Sequence, residues 1–439
     1  MPTNFTRRDF LKTSAAVGAA VGVGVGTIGT LGVWSEVPAA ESDSPAEKLN
    51  IGFVGVNNQA RFSIDNLRSQ NIAALCDIDD RYVGTVSGEF PKAATYNDFR
   101  RMLDKEKTLD AVVVATPDHI HAHATSAAIR LGKHVYCEKP LTHTVKEARL
   151  ITELTAKHKV ATQMGTQIHA GNNYREVVEI IQSGAIGKVN EVHVWVGTVW
   201  GGGDRPKELP DVPEHLHWDL WLGPAPKRPY HSTYLPSNWR RWWDFGGGAL
   251  ADMACHYTDL PFWALGLGRP TSIEAEGPEV HEETAPTGMR VRYEYPARGD
   301  QPAVKLTWYD GNQIPREVAG HRVGGAGVMF IGEKGQMFAD YGSWRLYPED
   351  KYKDYQRPEE TIPRSIGHHN EWVKACKEGT PTTCHFGYAG PLTEAVLLGN
   401  VSYRAGSRID WDAESLTAKG CPEAEQYISR EYREGWKLF

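Results

Sequence analysis

The chain has 439 residues, of which 41% are hydrophobic and 23% are charged, and its formal net charge is -7. This length is enough for two domains, and the composition is that of an ordinary globular protein. A nucleic-acid-binding surface needs a basic stripe, so the acidic balance argues against a nucleic-acid partner.

The first 40 residues have the features of a targeting segment that does not belong to the fold. Arg7 and Arg8 lie in the stretch TRRDFLK, and an apolar run rich in Ala, Gly and Val follows from about residue 15 to residue 33. Small residues at 37–39 (VPA) offer a signal-peptidase site, which predicts cleavage near residue 39 or 40. The alternative is an uncleaved membrane anchor, because the run is nearly long enough to span a bilayer.

The paired arginines resemble the Tat export signal, which a receptor reads as an address. Tat systems move proteins that have already folded, often around a cofactor. The resemblance therefore implies export to the periplasm, with the Tat machinery as a partner. The polar stretch ESDSPAE (41–47) begins a linker that we place at residues 41–48.

Short apolar runs of buried-strand length alternate with helical stretches from residue 49 to residue 165. The predicted strands are 49–55, 72–77, 109–115, 134–139 and 160–165. The predicted helices are about 59–68, 97–105, 119–131 and 144–158. This alternation predicts βαβ units and a parallel sheet.

The pattern changes after residue 165, so we expect a second domain over residues 166–439. A helix (174–188) and a strand (189–198) lead into a region rich in Pro and Trp that runs to about residue 244. A further helix and several alternating strands follow, with GEKG (332–335) as a hairpin turn. Successive strands with short turns predict an open, mostly antiparallel sheet, and hence an α/β protein overall. The last predicted helices are 368–377 and 388–404.

Six cysteines are distributed along the chain, and none forms a CxxC pair or a zinc-type spacing. They are Cys76, Cys137, Cys255, Cys376, Cys384 and Cys421. We expect them to be buried thiols, because a chain that folds before export buries its cysteines first. Only Cys376 and Cys384 are near each other in sequence.

The turn after the first predicted strand, GVNNQA, is a candidate dinucleotide site. Gly55, Asn57 and Ala60 fill the three positions of the G-x-G-x-x-G fingerprint, and Asn58 lies between the last two. Asn tolerates a positive φ, so the turn survives the loss of the second glycine. By itself the signal is weak, because a glycine-containing βα turn is often only a turn.

Asp77 closes the second predicted strand, 22 residues after Gly55. An acid at this place can accept hydrogen bonds from a ribose 2′-hydroxyl and repel a 2′-phosphate, which favours NAD. Arg81 is close enough to leave NADP open. The alternative for Asp77 is a solvated acid at a strand end.

Two further loops follow predicted strands, VATPDHIHAHA (114–124) and CEKPLTHT (137–144). Ligands of open α/β sheets lie outside the carboxyl ends of the strands, so both loops should face the cofactor. Lys139 could stabilise a developing alkoxide, although a lone loop lysine is more often a surface residue. The expected cofactor contacts, besides those of the glycine turn and Asp77, are Thr116, Pro117, His119, His121, Glu138, Lys139 and Gln167.

Four stretches together resemble the Gfo/Idh/MocA oxidoreductase family: ATPDHIH, CEKP, GAIGKV and WWDFGGGALADMACHYTD. The resemblance covers roughly residues 48 to 412. It implies an N-terminal Rossmann domain that binds NAD or NADP and a substrate that is a carbohydrate or cyclitol. It also implies a C-terminal α/β domain whose open sheet often forms the interface of a homo-oligomer, here a dimer or tetramer.

Asp252 and His256 are four residues apart, so they share one face of a helix. The family pattern gives His256 the role of general base and Lys139 that of stabilising the alkoxide while the hydride leaves. Asp252 would orient the imidazole or hold a neighbouring hydroxyl. A zinc site on Asp252 and His256 is the alternative, with a third ligand from among His119, His121 and His123; we expect no metal.

Candidate substrate contacts lie in two places. His169 and Asn172 follow the fifth predicted strand and should reach the cleft. Trp239 and Arg240 lie in NWRRWWDF, where a Trp face can stack on a sugar and an arginine can donate to hydroxyls or carboxylates. The alternative is a packed aromatic wedge between the domains.

Export constrains the chemistry, because a periplasmic enzyme has no assured pool of free nicotinamide. We therefore expect a tightly bound NAD(P), used to oxidise a sugar, sugar derivative or cyclitol. Some family members are exported glycoside hydrolases that use bound NAD transiently at C3, which is the main alternative, with Tyr174 or Tyr257 as a further acid/base. A sugar-binding protein with a vestigial cofactor site is a third possibility.

Overall fold

The computed structural model describes residues 48–438. The predicted signal peptide, its cleavage site, the anchor alternative and residues 41–47 of the linker lie outside the described residues. Among the helices within 48–438, none combines the length and hydropathy that a membrane crossing needs.

The first half of the described chain alternates strands and helices. Its strands are β1 (Asn50–Val54), β2 (Asn71–Cys76), β3 (Ala94–Tyr96), β4 (Ala111–Val114), β5 (His134–Glu138) and β6 (Thr162–Gly165). Its helices are α1 (Gln59–Asn66), α2 (Asp80–Glu89), α3 (Phe99–Lys105), α4 (Asp118–Arg130) and α5 (Val145–His158). The strands pair in parallel in the order β3-β2-β1-β4-β5-β6, which confirms the predicted parallel sheet. The sequence pattern did not predict β3 and α2.

The second half contains a mixed sheet of nine strands. The strands after β6 are β7 (Val189–Val196), β8 (Ser272–Glu276), β9 (Arg290–Tyr295), β10 (Val304–Asp310), β11 (Glu317–Val318), β12 (His321–Arg322), β13 (Ala326–Gly332), β14 (Gly335–Ala339), β15 (Trp344–Tyr347), β16 (Ile409–Asp412) and β17 (Thr417–Lys419). The sheet order is β15-β14-β13-β7-β10-β9-β8-β16-β17, with β11 and β12 as a separate hairpin. Only the β7–β10 pair is parallel among the ladders of this sheet, so the prediction of a mostly antiparallel sheet is confirmed.

Eight α-helices accompany this sheet in the described residues. They are α6 (Asn172–Gln182), α7 (Trp218–Leu222), α8 (Gly248–Tyr257), α9 (Asp259–Ala264), α10 (Glu349–Tyr352), α11 (His368–Glu378), α12 (Phe386–Ala405) and α13 (Glu425–Ile428). The long helix α12 is buried along most of its length and contacts both α5 and α8. It therefore fixes α8 relative to the first sheet.

Two segments from the second half cover the first. Trp372 and Val373 of α11 lie in one buried cluster with Ile51 and Phe53 of β1. Residues 429–438, which we call the strap, run back over α4, where His123 Nε2 lies 2.8 Å from the Trp436 carbonyl oxygen. Both contacts hold the two halves in one arrangement.

All six cysteines are free thiols. Five are buried and Cys376 is half-buried. The expectation of buried thiols therefore holds for five of them, and Cys376 and Cys384 are not bonded to each other.

Candidate active site

The glycine turn lies between β1 and α1 and is pressed against β4. Gly55 has a φ of 89°, and a Cβ there would lie 2.5 Å from the Ala115 carbonyl oxygen, so only glycine fits. Asn58 caps α1 with a φ of 52°, its side chain makes no capping hydrogen bond, and the first turn of α1 has no acidic residue. The Ala60 and Arg61 amides donate to the Asn57 and Asn58 carbonyls at 3.1 Å, whereas the backbone amides at 57–59 make no hydrogen bond among the described residues. These amides fit the pyrophosphate of a dinucleotide.

Asp77 braces this turn. Its carboxylate accepts hydrogen bonds from the Val56 amide at 2.9 Å and the Asp79 amide at 3.1 Å. Burial raises the pKa of Asp77 to about 6, against the effect of these amides. It is therefore not a freely solvated acid, and its contact with a ribose stays a prediction.

Arg81, the residue that left NADP open, is engaged elsewhere. Its Nε and Nη2 donate to the two oxygens of Asp79 at 3.1 and 2.7 Å. This pairing occupies the Nε and Nη2 edge of the guanidinium, and the side chain is 61% exposed.

The histidines of α4 do not fit the predicted cofactor contacts. Both ring nitrogens of His119 face carbonyl oxygens, at 2.8 Å from Trp221 and 3.3 Å from Phe245. His121 lies between the carbonyls of Pro140 (2.7 Å) and Thr116 (2.9 Å). Burial lowers the pKa of His119 to about 3 and that of His121 to about 4. These rings tie loops together instead of facing a ligand, whereas Thr116 and Pro117 remain predicted contacts.

Glu138 and Gln167 face each other beneath the β5 loop. Gln167 Nε2 donates to Glu138 Oε1 at 3.0 Å and to the Tyr136 hydroxyl at 3.1 Å. Burial raises the pKa of Glu138 to about 7. Their buried positions make them supports of the Lys139 loop, and Glu138 Oε2 is buried without a hydrogen-bond partner among the described residues.

Lys139 belongs to a group that we call the cleft cluster, which comprises Lys139, Asp252, Arg240 and Trp200. Lys139 Nζ donates to Asp252 Oδ1 at 2.6 Å and to the Asp252 carbonyl at 2.8 Å. Arg240 Nε reaches the same Oδ1 at 2.9 Å, and Trp200 Nε1 reaches Oδ2 at 2.8 Å. Burial alone would raise the pKa of Asp252, but Lys139 and Arg240 hold it well below its ordinary value.

His256 lies one turn after Asp252 on α8. Burial, assisted by the charge of Lys139, lowers the pKa of its imidazole to about 3. Its Nδ1 is buried and has no hydrogen-bond partner within residues 48–438. No hydrogen bond joins Asp252 to this ring, because Lys139, Arg240 and Trp200 occupy both carboxylate oxygens. The geometry therefore does not fit an orienting role for Asp252, and its contact with a neighbouring hydroxyl stays a prediction. The neutral ring is available to accept a proton.

The two tyrosines considered as acid/base groups support α8 from the side. Tyr174 donates its hydroxyl hydrogen to the His256 carbonyl at 3.1 Å, and Tyr257 stacks on Tyr341 with ring centroids 4.4 Å apart. Burial raises the pKa of both phenols well above the ordinary value. Neither is poised for proton transfer, and the geometry gives Tyr174 the role of holding His256.

The predicted substrate residues fall into different environments. His169 is fully buried, with Nδ1 2.9 Å from Asp259 Oδ2 and its ring stacked on Trp263 at 3.9 Å. It belongs to the packing under α9, so its predicted contact with substrate does not fit. Asn172 is exposed at the start of α6.

Trp239 is also buried, and the Arg240 guanidinium carbon lies 4.3 Å from the centroid of its ring. It belongs to an aromatic cluster, as the wedge alternative proposes. The large aromatic members are Trp218, Trp221, Tyr234, Trp239, Trp242 and Phe245. Trp239 thus supports Arg240, which does reach the cleft cluster.

Sequence reasoning missed Trp200, Asp118 and Tyr341. Trp200 lies in a loop with no motif around it, and the Tyr341 ring reaches within 6.4 Å of the His256 ring from the far turn after β14. Asp118 was visible in ATPDHIH but was not singled out. It opens α4, and burial raises its pKa to about 8, with Arg240, Asp252 and Lys139 close enough to influence it.

None of the three histidines of α4 is placed to be the third ligand of a zinc site on Asp252 and His256. His123 Nε2 faces the Trp436 carbonyl, and the other two histidines of α4 face carbonyls as well. Over residues 48–438 there is no group of three His, Cys, Asp or Glu side chains that could hold a metal ion.

The parallel sheet, its glycine turn and the cleft cluster at its edge define the class of a NAD(P)-binding oxidoreductase. Two family profiles cover nearly all the described chain: "Oxidoreductase family, NAD-binding Rossmann fold" over residues 49–166 and "Oxidoreductase family, C-terminal alpha/beta domain" over residues 171–438. The chain belongs to the Gfo/Idh/MocA oxidoreductase family. A twin-arginine translocation signal profile also matches residues 4–24, so the chain carries a Tat export signal.

Curated relatives are distant. An inositol 2-dehydrogenase of Salmonella typhimurium is 28% identical over 147 residues, which are 33% of this chain and 43% of that protein. A glycosyl hydrolase family 109 protein of Saccharopolyspora erythraea is 27% identical over 262 residues, 55% of this chain and 51% of that protein. The chain thus spans about half the length, or less, of these relatives.

Solved structures share the fold over most of the chain. GenD2 from gentamicin A biosynthesis, in complex with NAD, has a TM-score of 0.60 at 20% identity, covering 85% of this chain and 99% of that chain. The WlbA dehydrogenase from Bordetella pertussis, in complex with NADH and UDP-GlcNAcA, has a TM-score of 0.59 at 18% identity, covering 83% and 99%.

Proposed function

We propose that this protein is a periplasmic oxidoreductase that oxidises a sugar, sugar derivative or cyclitol by hydride transfer and retains its NAD or NADP. The observation that carries the proposal is the position of Lys139, whose Nζ lies 2.6 Å from Asp252 Oδ1. Asp252 shares helix α8 with His256, whose imidazole is neutral. The Tat signal and the sugar-related activities named for relatives support it.

Bound NAD(P) supplies the hydride acceptor. The backbone amides at 57–59, which make no hydrogen bond among the described residues, and the Gly55 turn would hold its pyrophosphate, and the substrate would bind beside it at the carboxyl edge of the parallel sheet. His256 accepts the hydroxyl proton of the substrate, because its imidazole is neutral and its Nδ1 has no hydrogen-bond partner within residues 48–438. Lys139, held in place by its hydrogen bond to Asp252, donates to the same oxygen as negative charge develops on it.

We also propose the domain limits 49–165 and 166–439 and a homo-oligomer that uses the outer face of the second sheet. Val318 of the β11–β12 hairpin packs with Trp195 of β7 and Met329 of β13. The hairpin therefore covers one part of that face. In the proposed oligomer, the second subunit would contact the part formed by β8 and β9.

A NAD-dependent glycoside hydrolase is the second candidate. Asp118 favours it, because a buried carboxyl with a pKa of about 8 holds a proton at neutral pH and lies near the cleft cluster. Such a group could protonate a leaving aglycone after oxidation at C3. The match to a glycosyl hydrolase family 109 protein agrees with this candidate.

The test starts from the exported protein, purified without added nucleotide. Denaturation should release NAD or NADP, identified by chromatography. The intact protein is then incubated with sugars and with aryl glycosides. A net change in absorbance at the reduced-nicotinamide band supports the oxidoreductase, and aglycone release without net change supports the hydrolase. A protein that holds no nucleotide and binds none when it is added would contradict both.

A further inference from the structure

Arg240 presents an unused edge to the cleft. Its guanidinium lies between two indoles, 4.3 Å from the Trp239 ring and 5.5 Å from the Trp200 ring. Nε donates to Asp252 at 2.9 Å and Nη1 to the Ser237 carbonyl at 3.4 Å. Nη2 has no hydrogen bond within residues 48–438 and is not buried, and the side chain is 23% exposed against 10% for Asp252.

The charges around this edge do not balance. Lys139 and Arg240 are two cations that share one carboxylate, Asp252, while His256 is neutral. Asp118 does not restore the balance at neutral pH, because burial raises its pKa to about 8. The Asp340 carboxylate is turned into its own loop, where it accepts from the amides of Gly342 and Ser343 at 2.9 and 2.7 Å.

One more carboxyl group lies near the Lys139 loop. Glu138 is buried beneath it, 3.0 Å from Gln167, and burial raises its pKa to about 7. Its Oε1 accepts from Gln167, and its Oε2 lies against Gly165, where an added Cβ would be 2.6 Å away. The cleft cluster therefore has an excess positive charge with a rigid, partly exposed donor.

We propose that the substrate is an anionic carbohydrate, a sugar acid whose carboxylate binds Nη2 of Arg240. The inference rests on the proposed function and adds the substrate class. A guanidinium N–H donates more strongly to a carboxylate than to a neutral hydroxyl, because the hydrogen bond joins two opposite charges. Because the two indoles and Asp252 already hold Arg240 in place, binding loses little side-chain entropy.

The test compares matched pairs of ligands on the nucleotide-loaded, full-length protein: glucose with glucuronate, and galactose with galacturonate. Dissociation constants are measured by equilibrium dialysis, and reduction of the bound nucleotide is measured at the reduced-nicotinamide band. We expect each uronate to bind at least about tenfold more tightly than its neutral partner. This preference should shrink as sodium chloride is raised, because it is electrostatic.

Variants assign the preference to Arg240. Arg240→Gln should bring each pair within about twofold, whereas Arg240→Lys, which keeps the charge but loses the planar guanidinium held by Asp252 and the indoles, should retain part of the preference. Arg345→Gln is the matched control, because Arg345 is exposed and its one ion pair within residues 48–438 is with Glu349. Thermal unfolding and nucleotide content show whether each variant is folded.

The outcomes separate the two proposals. Neutral sugars that bind the wild-type protein as tightly as uronates overturn the sugar-acid inference and leave the oxidoreductase standing. A uronate preference that survives in folded Arg240→Gln overturns the role of Arg240. A protein without nucleotide, and without turnover of either class, overturns the proposed function itself.

Discussion

Helices α4 and α8 each contain a polar sequence motif, but the polar side chains of the two helices have different kinds of hydrogen-bond partner. In α4, His119, His121 and His123 face backbone carbonyls of distant segments. In α8, Asp252 is held by three side chains, and His256 Nδ1 has no partner within the described chain. Both helices are buried, so burial does not distinguish them.

The two helices differ in whether the imidazole nitrogens have a hydrogen-bond partner in the protein. A buried imidazole that faces a carbonyl stabilises the fold, since losing it leaves an unsatisfied acceptor. A buried imidazole without a partner adds no hydrogen bond to the fold and is free for chemistry. Four predictions test this contrast, in descending order of expected effect.

Replacing Lys139 should have the largest effect. Lys139→Met removes the only donor that the proposal places on the developing alkoxide, and we expect kcat to fall by roughly 10²- to 10³-fold. Lys157→Met is the control, since Lys157 is exposed on α5 and should leave kcat unchanged. Full activity in Lys139→Met would refute the assignment.

A crossed pair of histidine variants tests the contrast directly. His256→Asn should lower kcat by at least about 10²-fold and change the free energy of unfolding by less than about 1 kcal/mol, because no protein hydrogen bond is lost. His123→Ala should keep kcat within about twofold and lose roughly 2 kcal/mol of stability, because the Trp436 carbonyl loses its partner. Urea unfolding measures the stability of each variant, and initial rates measure its kcat. Equal losses of stability in the two variants would contradict the proposed difference between α4 and α8.

The stability of the His123→Ala variant should depend on pH in a defined direction. Burial lowers the pKa of His123 to about 4, so between pH 6.5 and 4 the unfolded chain binds a proton that the folded chain does not. The stabilisation by His123 is thus complete above pH 6.5 and is lost as the pH falls. The stability gap between wild type and His123→Ala should shrink by about 1 kcal/mol per pH unit, measured by urea unfolding. A constant gap would contradict this pKa.

Replacing Trp200 should have the smallest effect. Trp200→Phe removes the 2.8 Å hydrogen bond to Asp252 Oδ2 but keeps an aromatic face for Arg240. Lys139 and Arg240 still hold the carboxylate, so we expect kcat to fall by less than about tenfold. A loss as large as that of Lys139→Met would make Trp200 a principal member of the cleft cluster.

Local patterns predicted the parts of the molecule that depend on neighbours in sequence. The run AVVV at 111–114 is fully buried as β4, as a parallel strand covered on both faces should be. GEKG forms the turn between β13 and β14, and Lys139 follows directly on β5, at the carboxyl edge of the sheet. These features need only periodicity, turn chemistry and chain order.

The wrong expectations concern partners that are far away in sequence. His119 looked like a cofactor contact, but its partners Trp221 and Phe245 lie 102 and 126 residues further on. Asp252 looked free to orient His256, but Trp200 approaches it from 52 residues upstream. No local pattern encodes which carbonyl or indole will arrive beside a polar side chain, so such assignments need the tertiary structure.

The strap has a consequence for the order in which the molecule forms. Trp436 packs against Arg100 and His123, and the contact with His123 joins residues 313 positions apart. A chain emerging from the ribosome begins folding with its N-terminal part. The surface of α4, however, cannot close until the strap has been synthesised. The nucleotide-binding half is thus synthesised first, but its packing is complete only after the end of the chain has been made. This order suits an export route that accepts proteins already folded.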